Sequence, residues 1–137
     1  MTVFITLDDK NGMLFNNRRQ SKDKFLRNDM LNTCGEKRLW MNEYTSEQFE
    51  PLSNNIIIDE MFLEKAEEND YCFAENCSFA EYIEKVKKIV IYKWNRVYPA
   101  DMYFEPSILE GWKQLSITEF EGNSHEKITK EEWVYES

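Results

Sequence analysis

The chain has 137 residues, 42% hydrophobic and 15% aromatic, enough for one core and too little for a second domain of ordinary size. Its 26 acidic and 17 basic side chains leave a formal charge of −9, which repels phosphate backbones in aggregate and disfavours a nucleic-acid partner. Cys34, Cys72 and Cys77 follow no metal spacing, no apolar run is long enough for a membrane span, and Met1 to Asp9 lacks the basic leader of a signal peptide. One α/β domain over 1–137 is expected, cytoplasmic and with reduced thiols.

Val3, Ile5 and Leu7 alternate with Thr2, Phe4 and Thr6, a strand covered on both faces because Phe4 stands on the second side. Asn11-Gly12 signals a turn, and 16–22 reads as an exposed polar loop. Ser21 is placed to cap a helix running to Cys34, with Asp23 in its first turn. Phe25, Leu26, Met30 and Leu31 form its apolar stripe, and Gly35 ends it. A short strand follows over 38–41, and Thr45 can cap a helix over 46–49. The β-branched run 55–58 has the pattern of a central parallel strand; Asp59 caps a helix over 60–67, and 71–74 is the next strand. Ser78 and Glu81 make a capping box for a helix over 79–86. Ile89-Val90-Ile91-Tyr92, bulky on both faces, marks the strongest strand, 88–94. Segments 112–121 and 127–136 read as long strands joined through Gly122-Asn123-Ser124-His125. Short helices alternating with strands, then a terminal hairpin, predict an α/β fold with a mixed sheet, flanking helices and a C-terminal antiparallel hairpin.

Within that order stand the opening strand running into Asp9-Lys10-Asn11-Gly12, the segment Leu39 to Glu47, the segment Tyr98 to Phe104, Trp112 with Glu119-Phe120, and Asn123-Ser124-His125 before the last strand. In this order and spacing they resemble the dihydrofolate reductase family over nearly the whole chain. The first is similar to the family's opening strand and mobile-loop turn. The second resembles its methionine-glycine-arginine-x-threonine turn and helix start, and the third its glycine-aspartate-threonine-x-phenylalanine segment. The last two are similar to its closing strands.

The departures bear on function. Where the resemblance places an arginine that holds the dinucleotide phosphate, this chain has Asn42-Glu43. The family's paired glycines, whose amides meet the pyrophosphate, have no counterpart among Gly12, Gly35, Gly111 and Gly122. The segment that would carry them is missing between Ala74 and Ile89, and Met102 stands where the family has threonine. The NADPH site is therefore expected to be defective, and no cofactor is expected. Asp23 lies nearest the family's pterin-binding acid, and a helix-capping carboxylate is the other reading of it. A remnant ligand pocket is expected near Asp23, Thr45, Tyr92 and Asp101. Arg18 and Arg19 open the one dense basic run, with Lys22, Lys24 and Arg27, and are the candidate anion site against an ordinary solvated loop.

A lone histidine, His125, must serve any histidine-dependent nucleophilic site, and capping backbone groups in a turn is its plainer job. The same count excludes the histidine- and aspartate-rich metal motif of a ribonuclease Z. Asp8-Asp9 and Asp59-Glu60 lie at strand ends, where a carboxylate-only magnesium site would sit, but Asp8 and Asp9 point to opposite faces, capping is the plainer job for Asp59, and no metal is expected. Tyr92 to Tyr98 interleaves aromatics with Lys93 and Arg96, a face able to stack a heterocycle or simply to pack under the hairpin. The expectation is a domain without reductase activity that binds a small heterocyclic ligand or a protein partner. The alternative is an enzyme acting on a pterin- or nucleotide-like ligand; RNA processing is disfavoured by charge. A homodimer could seal a sheet edge left open by the shortened chain.

Overall fold

The computed structural model describes residues 1–135. At the centre of its larger sheet lies β1 (Thr2–Leu7), flanked in parallel by β6 (Tyr71–Phe73) and β7 (Lys88–Lys93). Beyond β6 the sheet continues in parallel with β4 (Leu39–Met41) and β5 (Ile56–Ile58). On the other side the antiparallel hairpin of β9 (Trp112–Phe120) and β10 (Ile128–Tyr135) joins through β10 onto β7. The resulting seven-stranded order is β5-β4-β6-β1-β7-β10-β9. A three-stranded sheet is made by β2 (Gly12–Phe15), β3 (Arg18–Arg19) and β8 (Met102–Tyr103), in the order β3-β2-β8.

Successive side chains of a strand point to opposite faces, and the two faces of this sheet have separate cores. Val3, Ile5 and Leu7 join Ile89 and Ile91 on one face, with Phe62, Leu63 and Phe79 over them. Phe4 joins Val90 and Tyr92 on the other, covered by Leu26, Met30 and Cys34 of helix α1 (Lys24–Cys34). Those three helix positions are four apart, one stripe of a 3.6-residue turn. Complete burial of Phe4 and Tyr92 gives each roughly 1.5–3 kcal/mol of apolar transfer. No helix among the described residues is long and apolar enough to cross a membrane.

Several local expectations change. The cap of α1 is Asp23, whose Oδ1 accepts from the amides of Phe25 and Leu26, so the helix starts three residues after Ser21. Phe25 is 43% exposed and outside the stripe. Helix α2 covers Glu43–Ser46, not 46–49, because Asn42 accepts from the Thr45 amide and starts the turn earlier. The run Ile56–Ile58 is parallel but forms the sheet's edge, pairing with β4 on one side and leaving Ile58 42% exposed before the chain enters α3 (Phe62–Lys65). Helix α3 is one turn rather than the eight residues 60–67, with the Asp59 carboxylate on Met61 and Lys65. Residues 80–85 form a 3-10 turn, with Ser78 accepting from Ala80. The loop 16–22 contains β3. The hairpin forms as expected, each strand one residue shorter at the turn (to Phe120 and from Ile128), and the expected end, Glu136, lies outside the described residues.

Candidate functional site

In an open parallel sheet the carboxyl ends of the strands are where ligands meet backbone and helix starts. At this edge β1 runs into Asp8, β4 into Asn42 and β7 into Trp94, and Glu75 stands two residues past the end of β6. Buried polar groups there fall into three hydrogen-bonded hubs.

The first is built on Asp23. Its side chain is wholly buried, yet it accepts from Phe25 and Leu26 in α1 and from the amides of Asn123 and Ser124 in the hairpin loop. His125 Nδ1 lies 3.0 Å from its Oδ2. Burial alone would raise this carboxyl, but the bonds from Asn123, His125, Ser124 and Leu26 outweigh it and hold it well below the ordinary carboxylate range. A carboxylate can only accept, so Nδ1 carries a proton, and in the neutral ring Nε2 is then the acceptor. Both Ser21 Oγ and the Tyr98 hydroxyl stand 3.0 Å from that Nε2. Trp94 stacks on the imidazole with centroids 4.6 Å apart. His125 is thus a buried joint between side chains, where the sequence suggested a turn residue capping backbone.

The second hub is Glu75, 2% exposed. Its carboxylate takes Arg19 Nε at 2.9 Å, Thr45 Oγ1 at 3.0 Å and Gln48 Nε2 at 2.9 Å. Arg19 is further fixed by the Tyr44 carbonyl at 2.8 Å and by the Tyr44 ring, 4.2 Å beneath its guanidinium. Asn42 Nδ2 donates to Asn76 at 2.7 Å, and the Glu43 amide donates to Glu60 at 2.9 Å.

Asp8 is the third. Its carboxylate accepts from the amides of Lys10, Gly12 and Tyr98 and from Gln20 Nε2. Burial would raise it, and the amides of Gly12, Tyr98 and Lys10 with the Gln20 bond lower it further than burial lifts it. Gly12 is obligatory here: an added Cβ would stand 2.7 Å from both the Ala100 Cβ and Gln20 Nε2. Arg19, Gln20 and Tyr98, one from each hub, line a cavity of about 340 Å³ together with Phe15, Arg18 and Pro99. Gln20 Oε1 is buried with no partner among the described residues, as is Arg27 Nη1. A larger groove of about 740 Å³ sets Glu119, Glu121 and Glu126 against Arg96 and Lys127 and touches the hubs only at Trp94.

The expected pocket residues do not converge. Asp23 is saturated by protein donors, and Thr45 is fully buried and spent on Glu75. Tyr92 is in the core beneath α1, its hydroxyl donating to Asp29 at 2.7 Å, with burial raising its phenol far above the ordinary value. Asp101 is exposed and accepts from the Asn16 amide. Arg18 and Arg19 both line the smaller cavity. Sequence reading passed over Glu75 and Gln20 as site residues; for Glu75 the usable signal is its place just past the end of a parallel strand. Among the described residues, no three His, Cys, Asp or Glu side chains gather to hold a metal.

Strand order places the chain in the dihydrofolate-reductase-like fold. Superposition agrees. The chain is similar to the dihydrofolate reductase from Enterococcus faecalis complexed with NADP(H) and RAB-propyl, with a TM-score of 0.70, 11% identity, and coverage of 100% of this chain and 97% of that one. No family model and no curated protein matches the sequence. The likeness is one of fold.

Proposed function

We propose that the chain is a dihydrofolate-reductase-like domain that has lost NADPH-dependent reduction and binds a small anionic heterocycle in the cavity of Arg18, Arg19, Gln20 and Tyr98. The observation that carries this reading is Glu75: a buried carboxylate, held by Arg19, Thr45 and Gln48, at the strand end where a dinucleotide's phosphates would need donors. Two unit charges about 4 Å apart repel by about 4 kcal/mol at an effective dielectric near 20. The Glu43 amide, at the start of α2, is already given to Glu60, so a second carboxylate competes for the same donors. The residues present do not fit NADPH. The smaller cavity has the opposite character: the exposed Arg18 guanidinium, that of Arg19 held in place by Glu75, an aromatic face and the Gln20 acceptor left without a partner among the described residues. Such a set suits a planar ligand bearing both an anionic group and an N–H donor.

Fluorescence titration with NADPH at low salt should show no saturation in the micromolar range, and micromolar saturation overturns the loss of the cofactor site. A thermal-shift screen of pterins, folates and nucleotides should find a ligand whose stabilisation grows with its concentration over its Kd. Arg18→Ala should weaken that shift, and a ligand indifferent to Arg18→Ala would place the site elsewhere. A second reading, self-association, has one observation of its own. Among the described residues β9 is the edge strand of the seven-stranded sheet, with Leu115 55% and Ile117 59% exposed. Sedimentation velocity showing only monomer at high concentration would remove it.

A further inference from the structure

We propose that Ser21, His125 and Asp23 form a nucleophilic relay that hydrolyses small uncharged esters, an activity distinct from ligand binding in the anion cavity. A serine hydroxyl is a poor nucleophile unless an oriented base takes its proton, and the arrangement to look for is nucleophile on base and base on a third group. The chain has that arrangement, at 3.0 Å from Ser21 Oγ to His125 Nε2 and 3.0 Å from Nδ1 to Asp23 Oδ2. Three restraints fix the imidazole. The Asp23 carboxylate cannot turn, because Asn123, Ser124 and the first turn of α1 donate to it. The Trp94 ring covers one face of His125. The Nδ1 proton is committed to the carboxylate, so the Nε2 lone pair faces Ser21. Ser21 is half-buried and precedes the helix, so its hydroxyl is not part of the core.

Tyr98 completes the set. Its hydroxyl is also 3.0 Å from Nε2, and one lone pair cannot serve two donors fully. As Ser21 gives up its proton and Nε2 becomes a donor, the Tyr98 hydroxyl is free to turn to the oxygen that gains charge. Ser21 Oγ bonds to the ester carbonyl carbon while its proton passes to Nε2. The bond to the leaving alkoxide then breaks, and the alkoxide takes that proton. Water repeats the attack on the acyl-serine with His125 again as base, releasing the acid and restoring Ser21. A purely structural tie needs one partner for the buried Nε2, which the Tyr98 hydroxyl alone supplies; the second hydroxyl, Ser21, is the nucleophile of the relay.

The experiment uses the full chain and two uncharged probes, so failure of the proposed anion site leaves it readable. A fluorophosphonate should modify Ser21, forming the Oγ–phosphorus bond as fluoride leaves, located by peptide mass mapping. Hydrolysis of p-nitrophenyl acetate should be lost in Ser21→Ala at an unchanged melting temperature. His125→Gln should slow it by roughly 10²–10⁴-fold. If His125→Gln does not fold, Ser21→Ala decides, because it removes one half-buried oxygen outside the helix. A folded chain with Ser21 unmodified, or a Ser21→Ala variant turning over at the parent rate, overturns the relay.

Discussion

Asp23 shows how much one side chain carries. It caps a helix, closes the hairpin loop through Asn123 and Ser124, 100 and 101 residues away, and holds a proton on Nδ1 of a buried imidazole. Its folded carboxyl titrates below the unfolded value of about 3.9, so its contribution is complete above that pH and is lost as pH falls through the lower folded value. Asp23→Ala should therefore cost about 3 kcal/mol in urea unfolding at pH 7, and the gap to the parent should narrow below about pH 4. An undiminished gap at pH 2 would mean that packing, not the charge, is responsible. Cysteine chemistry points the other way. Burial pushes the Cys34 and Cys72 thiols up to about 12 and Cys77 up to about 11, so no thiolate is available at neutral pH. Iodoacetamide should leave all three unmodified in the native chain and alkylate them in denaturant.

At the scale of elements, strands were legible where neighbours in sequence decide their fate. In Thr2–Leu7 and Lys88–Lys93 alternate residues go to alternate cores, and the period of two is written in the side chains. Helix starts were less legible because several capping residues stand close together. Asp23 wins over Ser21 and Asn42 over Thr45, and each displaced hydroxyl then finds a tertiary partner: Ser21 on His125, Thr45 on Glu75. Of the site, the Arg18-Arg19 cluster could be read as charge density. Glu75 could not, for its partners Thr45 and Arg19 are 30 and 56 residues distant. Its hub joins β3, α2 and the end of β6, so Glu75→Ala should cost about 3 kcal/mol by leaving Arg19 unpaired. Thr45→Ala should cost nearer 1 kcal/mol. A double-mutant cycle should give less than the sum of the two, and strict additivity would show that Thr45 and Glu75 do not share an interaction.

For the whole molecule the deciding quantity is charge. Acidic side chains outnumber basic ones by 26 to 17, and several bases are already committed: Arg19 to Glu75, Arg38 to Asp70, Lys93 to Glu131 and Lys130 to Asp29. Nucleic-acid affinity grows with the number of phosphates neutralised, each released counterion adding to it at low salt. Arg18 stands exposed beside the cavity, but its neighbour Arg19 holds a buried carboxylate whose release would strand an anion in the core. The 740 Å³ groove, where Arg96 and Lys127 could reach a backbone, is edged by Glu119, Glu121 and Glu126. Neither surface offers the run of free cations that a polyanion needs. Mobility-shift assays with single-stranded RNA at about 0.15 M salt should show no complex, even though the Debye length there is only about 8 Å and long-range repulsion is largely screened. A complex that persists at that ionic strength and vanishes in Arg18→Ala would mean that local geometry overrides the net charge, and would move the basic cluster from small-anion binding to RNA recognition.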